Sequence, residues 1–146
     1  MADYETLLNL ADDEAAVAGF LADRGGCLVR DQADSATYWL AARPASAPQE
    51  TYYARVTWAA YPHQPPSIKF ADAIGGSVTV TRAWPVIPGY RSASQDICKP
   101  MSAEGYALHP EWRSGPDAWP TTGNPFLWLA QTLQHDLDND YTGRAP

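Results

Sequence analysis

The fold is decided by one short stretch, Tyr61-Pro-His-Gln-Pro-Pro-Ser-Ile-Lys-Phe70. Three prolines fall within five residues, at positions 62, 65 and 66. Proline fixes its own φ and restricts the residue before it, so we expect a rigid, extended crossing between two strands. An X-Pro bond here is also a candidate for the cis form. Taken alone, the stretch is consistent with a stiff connection that has no catalytic role.

Upstream of this stretch the sequence predicts one helix and three strands. Apolar residues at helical spacing predict a helix from Tyr4 to Asp23 that ends at Gly25-Gly26, although the acidic cluster at 12–14 would also allow two shorter helices. Runs of β-forming residues predict strands at 27–29, 37–42 and 51–59, and the stretch itself ends in a fourth strand, 67–70. These four strands form an antiparallel meander, with Cys27 expected in the core.

Downstream, the pattern predicts a long loop followed by a helix. Residues 78–81 are compatible with one more strand, and the segment from Trp84 to Gly123 is rich in Pro, Gly and Trp. A loop of this length inside a compact domain is usually functional. Asn124 as N-cap and Pro125 as first residue begin the last helix, which Asn139 or Gly143 would end. An acidic cluster near its C-terminus opposes the helix dipole: Asp136, Asp138 and Asp140.

Composition limits the class of protein. The chain has 146 residues, which predicts a single domain over 1–146. Its net charge of −7 argues against a nucleic-acid partner. We expect no membrane partner, because no run of 18 apolar residues occurs, and no secretory signal, because the first residues are acidic. Two cysteines, Cys27 and Cys98, are too few for a disulfide framework and predict a cytoplasmic protein. The spacing of Cys and His matches no metal site.

The order of these features resembles a known family. A helix, a β-meander, the motif Tyr-Pro-x-x-Pro-Pro-x-Ile-x-Phe at 61–70 and a later Ile97-Cys98 are similar to the ubiquitin-conjugating (E2) superfamily. The resemblance covers residues 4–98 and implies an α+β, E2-like fold with a long active-site loop and a C-terminal helix. The Ala- and Arg-rich composition resembles bacterial E2-like proteins of ubiquitin-like conjugation systems. The superfamily also contains non-catalytic RWD domains and E2 variants, so the motif does not establish activity.

Within the resemblance, activity depends on Cys98, in Gln95-Asp-Ile-Cys-Lys-Pro100. The family's cysteine receives a ubiquitin-like modifier from an E1-like activating enzyme as a thioester and passes it to an amine of a target protein. This step needs no cofactor, because the E1 has already consumed the ATP. The alternative for Cys98 is a small core residue without reactivity. The function left open beside the enzyme is a non-catalytic protein-binding module in which Cys98 is part of the core.

The chain departs from the family pattern in three places, one of which is a gap from Phe70 to Cys98 that is longer than usual and implies an insertion or a displaced active-site loop. Trp84-Pro85-Val86 stands where a typical E2 has His-Pro-Asn, so no residue here is equivalent to the oxyanion-binding Asn. Only 48 residues follow Cys98, with one convincing helix, which predicts a reduced C-terminal helical region.

Other residues are candidates to assist Cys98. His109 is a candidate base, Asp117 a candidate partner for an attacking lysine, and Tyr90 a candidate oxyanion donor, as is Tyr106. Each has a structural alternative: a packing His, a turn-forming Asp, or a buried Tyr. Three tryptophans are expected to pack the loop onto the helix and the sheet: Trp112, Trp119 and Trp128. The chain has two lysines and eight arginines. A thioester carrier with few lysine amines would be less prone to modify itself, although a genome that prefers arginine codons explains the same bias.

Overall fold

The computed structural model describes residues 2–146. Helix α1 (Tyr4–Ala22) is followed by strands β1 (Cys27–Arg30), β2 (Thr37–Ala42), β3 (Tyr52–Thr57) and β4 (Ser67–Ala71). They form one antiparallel sheet in the order β1-β2-β3-β4. Helix α3 (Pro125–Asn139) is the last helix of the described residues. The α+β class, the N-terminal helix, the four-stranded meander and the C-terminal helix are therefore confirmed.

Helix α1 is continuous, so the alternative of two short helices is wrong. Its first turn is capped by Asp3, whose carboxylate accepts a 2.8 Å hydrogen bond from Thr6 N. At its other end Gly25 has φ 77° and Gly26 N donates to Leu21 O at 2.8 Å. A left-handed residue after the last turn satisfies free carbonyls, which is why the helix stops at the predicted glycines.

The sheet buries one face against the two long helices. The register places Leu40, Ala54 and Phe70 side by side, and Tyr38, Val56 and Ile68 beside them. All six side chains belong to the same core as Leu10 and Val17 of α1 and Phe126 and Leu129 of α3. Alternation along each strand sends the intervening residues to the opposite face.

Cys27 is exposed, so its expected place in the core is wrong. In the β1–β2 register Leu28 lies opposite Leu40, whose side chain faces the core. Since neighbouring residues of a strand point to opposite faces, Cys27 faces outward on an edge strand.

The strand expected at 78–81 does not form. Residues 72–80 contain no strand, and a short 3₁₀ helix covers Thr81–Ala83. Ser77 and Thr79 bond to each other instead, with 2.8 Å between their hydroxyl oxygens, and such local bonds compete with strand pairing. A hairpin from further along the chain also packs beside β4.

The predicted long loop contains short elements that the sequence analysis missed. Strands β5 (Tyr90–Arg91) and β6 (Asp96–Ile97) form an antiparallel hairpin, and helix α2 (Ala103–Leu108) follows. The signal for α2 was Ser102, whose hydroxyl accepts from Gly105 N at 2.9 Å as an N-cap. Helix α3 begins as predicted, with Asn124 Oδ1 accepting from Leu127 N at 2.9 Å, and ends at Asn139, one of the two expected positions.

The cis bond considered for the proline stretch is present, and the packing expected of the three tryptophans is met in part. The Tyr61–Pro62 bond is cis. Trp119 is buried, lies 5.9 Å from the ring of Trp58 and 5.5 Å from that of Trp128, and so packs the loop on the sheet and α3. Trp112 instead stacks on His109 inside the loop. No helix among residues 2–146 has both the length and the apolarity needed to cross a membrane.

Two leucines of α1 test the assignment of the buried face. Leu10 has 0% exposure, whereas Leu8 is 52% exposed. We expect Leu10→Ala to lower the free energy of unfolding by about 2–5 kcal/mol through lost burial and a cavity. Leu8→Ala, on the same helix, should change it by about 0.5 kcal/mol or less. Urea unfolding followed by circular dichroism measures both, and equal losses would contradict the orientation of α1.

Candidate functional site

Cys98 follows a short hairpin docked against the edge of the sheet. In the hairpin Tyr90 pairs with Ile97 and Arg91 with Asp96, and Cys98 N donates to Gly89 O at 2.7 Å. Lys69 of β4 holds the turn, because its Nζ donates to Gln95 O at 2.6 Å. The hairpin therefore extends the paired backbone as far as Cys98.

Alternation within the hairpin turns Cys98 outward. Ile97 is completely buried and Tyr90 nearly so, and both belong to the core. Their neighbours Asp96 and Cys98 consequently lie on the outer side. The Cys98 thiol is free and partly exposed, and no hydrogen bond within residues 2–146 involves its sulfur.

An ion pair lies beside Cys98 on that outer side. Arg91 binds Asp96 through two hydrogen bonds of 2.7 Å, Nε to Oδ1 and Nη2 to Oδ2, and Ser94 Oγ donates to Oδ1 at 3.0 Å. Hydrogen bonding from Arg91 lowers the pKa of Asp96. In return Asp96, and to a smaller extent Cys98, raises the pKa of Arg91. The pairing therefore favours the charged form of both Arg91 and Asp96.

A second charge pair joins the hairpin to α3. The carboxylate of Asp136, 3% exposed, accepts from Lys99 Nζ at 2.9 Å and from the Tyr90 hydroxyl at 2.8 Å, both through Oδ2. Burial, followed by the charge of Asp136, raises the pKa of Tyr90 well above its ordinary value. This pairing accounts for Asp136 near a helix C-terminus, where its charge opposes the dipole. Asp138 is used similarly, accepting from Ala45 N at 2.9 Å.

Of the four predicted helpers, three bind other partners through their side chains, and the fourth, Asp117, is exposed. The Tyr90 hydroxyl donates to Asp136 and not toward the sulfur. His109 lies 3.0 Å from Glu111 and stacks on Trp112, with 4.2 Å between ring centroids. Asp117 is exposed, and its backbone oxygen accepts from the hydroxyl of Tyr106. Of the predicted set, the structure brings Tyr90 alone into the Cys98 hairpin.

The segment Trp84-Pro85-Val86 is paired with the C-terminal residues. Val86 N donates to Gly143 O at 2.7 Å, and Ala145 N donates to Trp84 O at 2.9 Å. Trp84 is completely buried, whereas Val86 is 41% exposed and has no polar side-chain atom. The one side-chain donor of the segment, Trp84 Nε1, is buried, so the segment presents no side-chain donor to an oxyanion at the surface.

A separate cleft of about 440 Å³ lies between the proline stretch and the loop after α2. Its lining includes His63, Pro65, Tyr106, Arg113 and Trp119, and does not include Cys98. In the part of the chain that the structure describes, no three His, Cys, Asp or Glu side chains converge as metal ligands.

Sequence reasoning missed two pairings near Cys98, that of Arg91 with Asp96 and that of Asp136 with Lys99. The repeated acids of α3 were the visible signal for Asp136, but its partner Lys99 is 37 residues away. Comparison of the chain with protein-family models, with curated proteins and with solved structures found no match.

The ion pair beside Cys98 makes stability depend on pH. Because Arg91 lowers the pKa of Asp96 in the folded state, ionised Asp96 stabilises the fold above its unfolded-state pKa of 3.8. This contribution is lost as the pH falls through the lower, folded-state pKa. We expect wild type to melt above Asp96→Asn at about pH 6, with the gap closing below 3.8. Arg91→Gln should show the same loss, and a gap that persists in acid would contradict the pairing.

Exposure of the two thiols is directly measurable. Cys27 is exposed and Cys98 partly so, and we expect iodoacetamide to alkylate both in the native protein. Intact-mass measurement should then find one label on Cys27→Ala and one on Cys98→Ala. Failure of native Cys27→Ala to take up label before denaturation would show that the Cys98 sulfur is inaccessible.

Proposed function

We propose that the chain is an E2-like conjugating enzyme. It accepts a ubiquitin-like modifier from an E1-like activating enzyme as a thioester on Cys98 and transfers the modifier to an amine of a target protein. The observation that supports this most directly is the outward, partly exposed Cys98 thiol on a hairpin at the edge of the sheet. The helix, the antiparallel meander and the proline stretch before β4 stand in the order of the E2-like fold.

The loading step requires only an accessible thiol. The Cys98 thiolate attacks the carbonyl carbon of the E1-bound thioester, a new C–S bond forms, and the E1 sulfur leaves as a thiolate. An ordinary thiol has a pKa of about 8.5, so a few per cent is ionised at neutral pH. That fraction is sufficient because the incoming acyl group is already activated. No metal or nucleotide takes part in this step.

The transfer step requires help that the predicted residues do not yet provide. An attacking amine has to lose a proton, and the developing oxyanion needs a donor. His109 would have to exchange its contact with Glu111, and Tyr90 its bond to Asp136, before either could act. Asp117 is exposed and is the one predicted carboxylate available to an incoming lysine without such a change.

A non-catalytic binding module, similar to RWD domains and E2 variants, is the second candidate. The cleft between the proline stretch and the loop after α2 favours it, because this surface is lined by Tyr106 and Trp119 and is independent of Cys98. The absence of a polar side chain at Val86 favours it as well.

The compartment proposed for either function is the cytoplasm. Both cysteines are free, and a reducing compartment would keep the Cys98 thiol available for exchange. The net charge of −7 favours protein partners over nucleic acid.

The enzyme is tested by loading it with the cognate E1, modifier and ATP and running a non-reducing gel. We expect an adduct that a reductant removes, that is absent from Cys98→Ala, and that persists as a reductant-resistant ester in Cys98→Ser. Cys27→Ala is the matched control, since it removes the other exposed thiol and should load normally. A wild type that never loads would favour the binding module. An adduct that survives Cys98→Ala and disappears in Cys27→Ala would overturn the assignment of the thioester to Cys98.

A further inference from the structure

We propose that Asp136 is a positioning residue that restrains Lys99 and so prevents an acyl group on Cys98 from migrating to the neighbouring amine. This inference rests on the proposed function and identifies Lys99 as the site of self-modification that the fold guards. The reaction avoided is simple. The amine lone pair of Lys99 attacks the thioester carbonyl, a C–N bond forms, the C–S bond breaks, and the ammonium proton passes to solvent while Cys98 leaves as thiolate. The resulting amide is stable, and the carrier is lost.

Transfer of the acyl group from Cys98 to Lys99 would be fast because the two residues are adjacent in the chain. Holding two reacting groups on adjacent residues converts a bimolecular reaction into an intramolecular one, with a large gain in effective concentration. A carrier whose thioester must survive until a target arrives therefore needs that amine to be kept away from the sulfur.

The structure shows where the Lys99 amine is held. Its Nζ lies 2.9 Å from Asp136 Oδ2 and 5.8 Å from the centroid of the Tyr90 ring. The aliphatic part of Lys99 runs across Gly89, where an added Cβ would come within 2.9 Å of Lys99 Cγ. Because Gly89, with φ 87°, has no Cβ, the Lys99 side chain can pass over it and reach α3. Cys98 meanwhile faces outward.

The buried carboxylate makes this restraint strong. Asp136 is 3% exposed, and its Oδ2 already accepts from the buried Tyr90 hydroxyl. Removing Lys99 from it would leave a buried charge short of a partner, which is costly. The bond is therefore favoured over a freely moving lysine.

The amine of the other lysine of the chain is also bound, in this case by a backbone carbonyl. Lys69 Nζ donates to Gln95 O at 2.6 Å, in the turn of the Cys98 hairpin, and lies 3.9 Å from Glu104 Oε2. Both lysine amines of this sequence are thus bound to the protein's own oxygens. A low lysine content does not by itself require that the remaining lysine amines be hydrogen-bonded.

The first experiment measures how strongly the Lys99 amine is held, and it needs no E1. Wild-type protein, native and unfolded in urea, receives a trace of acetic anhydride, and mass spectrometry measures acetylation of Lys99. We expect at least about tenfold slower acetylation of Lys99 in the native chain, the factor that one charge-assisted hydrogen bond supplies. Equal rates would overturn the proposal whatever Cys98 does, and this measurement needs no variant to fold.

The second experiment reads migration from the sulfur. In a Cys27→Ala background, a short peptide thioester acylates Cys98, hydroxylamine then removes thioesters, and the acyl group left on Lys99 is quantified. We expect Asp136→Asn to raise it by about tenfold or more, and the added change Cys98→Ala to abolish the increase. A merely structural role of Asp136 would not make the adduct depend on Cys98.

The matched control is Asp138→Asn, which removes an acid of the same helix that binds Ala45 N and not Lys99. It should leave the Lys99 adduct at the wild-type level. A loaded Asp136→Asn variant whose Lys99 adduct stays at that level would overturn the proposal. Failure of the native chain to load from an E1, with Lys99 still protected from acetic anhydride, would instead overturn the proposed function and leave the restraint standing.

Discussion

The arrangement of the site depends on one buried carboxylate, that of Asp136. An ionised group enclosed by apolar residues costs several kcal/mol unless donors surround it. Helix α3 places Asp136 against the core, and the donors come from the hairpin, as Tyr90 and Lys99. In this arrangement Ile97 is turned into the core, and Cys98, the next residue, is partly exposed.

The proline stretch is decisive because its first residue belongs to an aromatic junction. The ring of Phe126 lies 5.1 Å from Tyr38, 5.2 Å from Trp58 and 6.4 Å from Tyr61. The Tyr61 hydroxyl donates to Asp13 of α1 and accepts from Phe126 N at 3.2 Å. One residue thus links both long helices to the sheet, and edge-to-face contacts of this kind add to the free energy of burial.

Local signals were sufficient for the long elements and insufficient for the site. The caps Asp3 and Asn124 act within three residues, so the helix boundaries were predictable. Cys27 was misplaced because a shift of one residue in register reverses which face a strand residue occupies. The partnership of Asp136 with Lys99 spans 37 residues and exists only after the chain has folded, so no local pattern could specify it.

In the proposed reaction, loading of Cys98 and transfer to an amine require different groups, and the structure provides more of those needed for loading. Exchange between two thioesters replaces one C–S bond by another, so it needs access and little assistance. Attack by an amine needs a proton acceptor and an oxyanion donor, and the backbone N–H of Cys98 is already bound to Gly89 O. Val86 contributes no donor either. For the enzyme that we propose, the geometry therefore provides for accepting an acyl group and not for discharging it unaided, so a bound target or partner would have to supply the donor and the base for transfer.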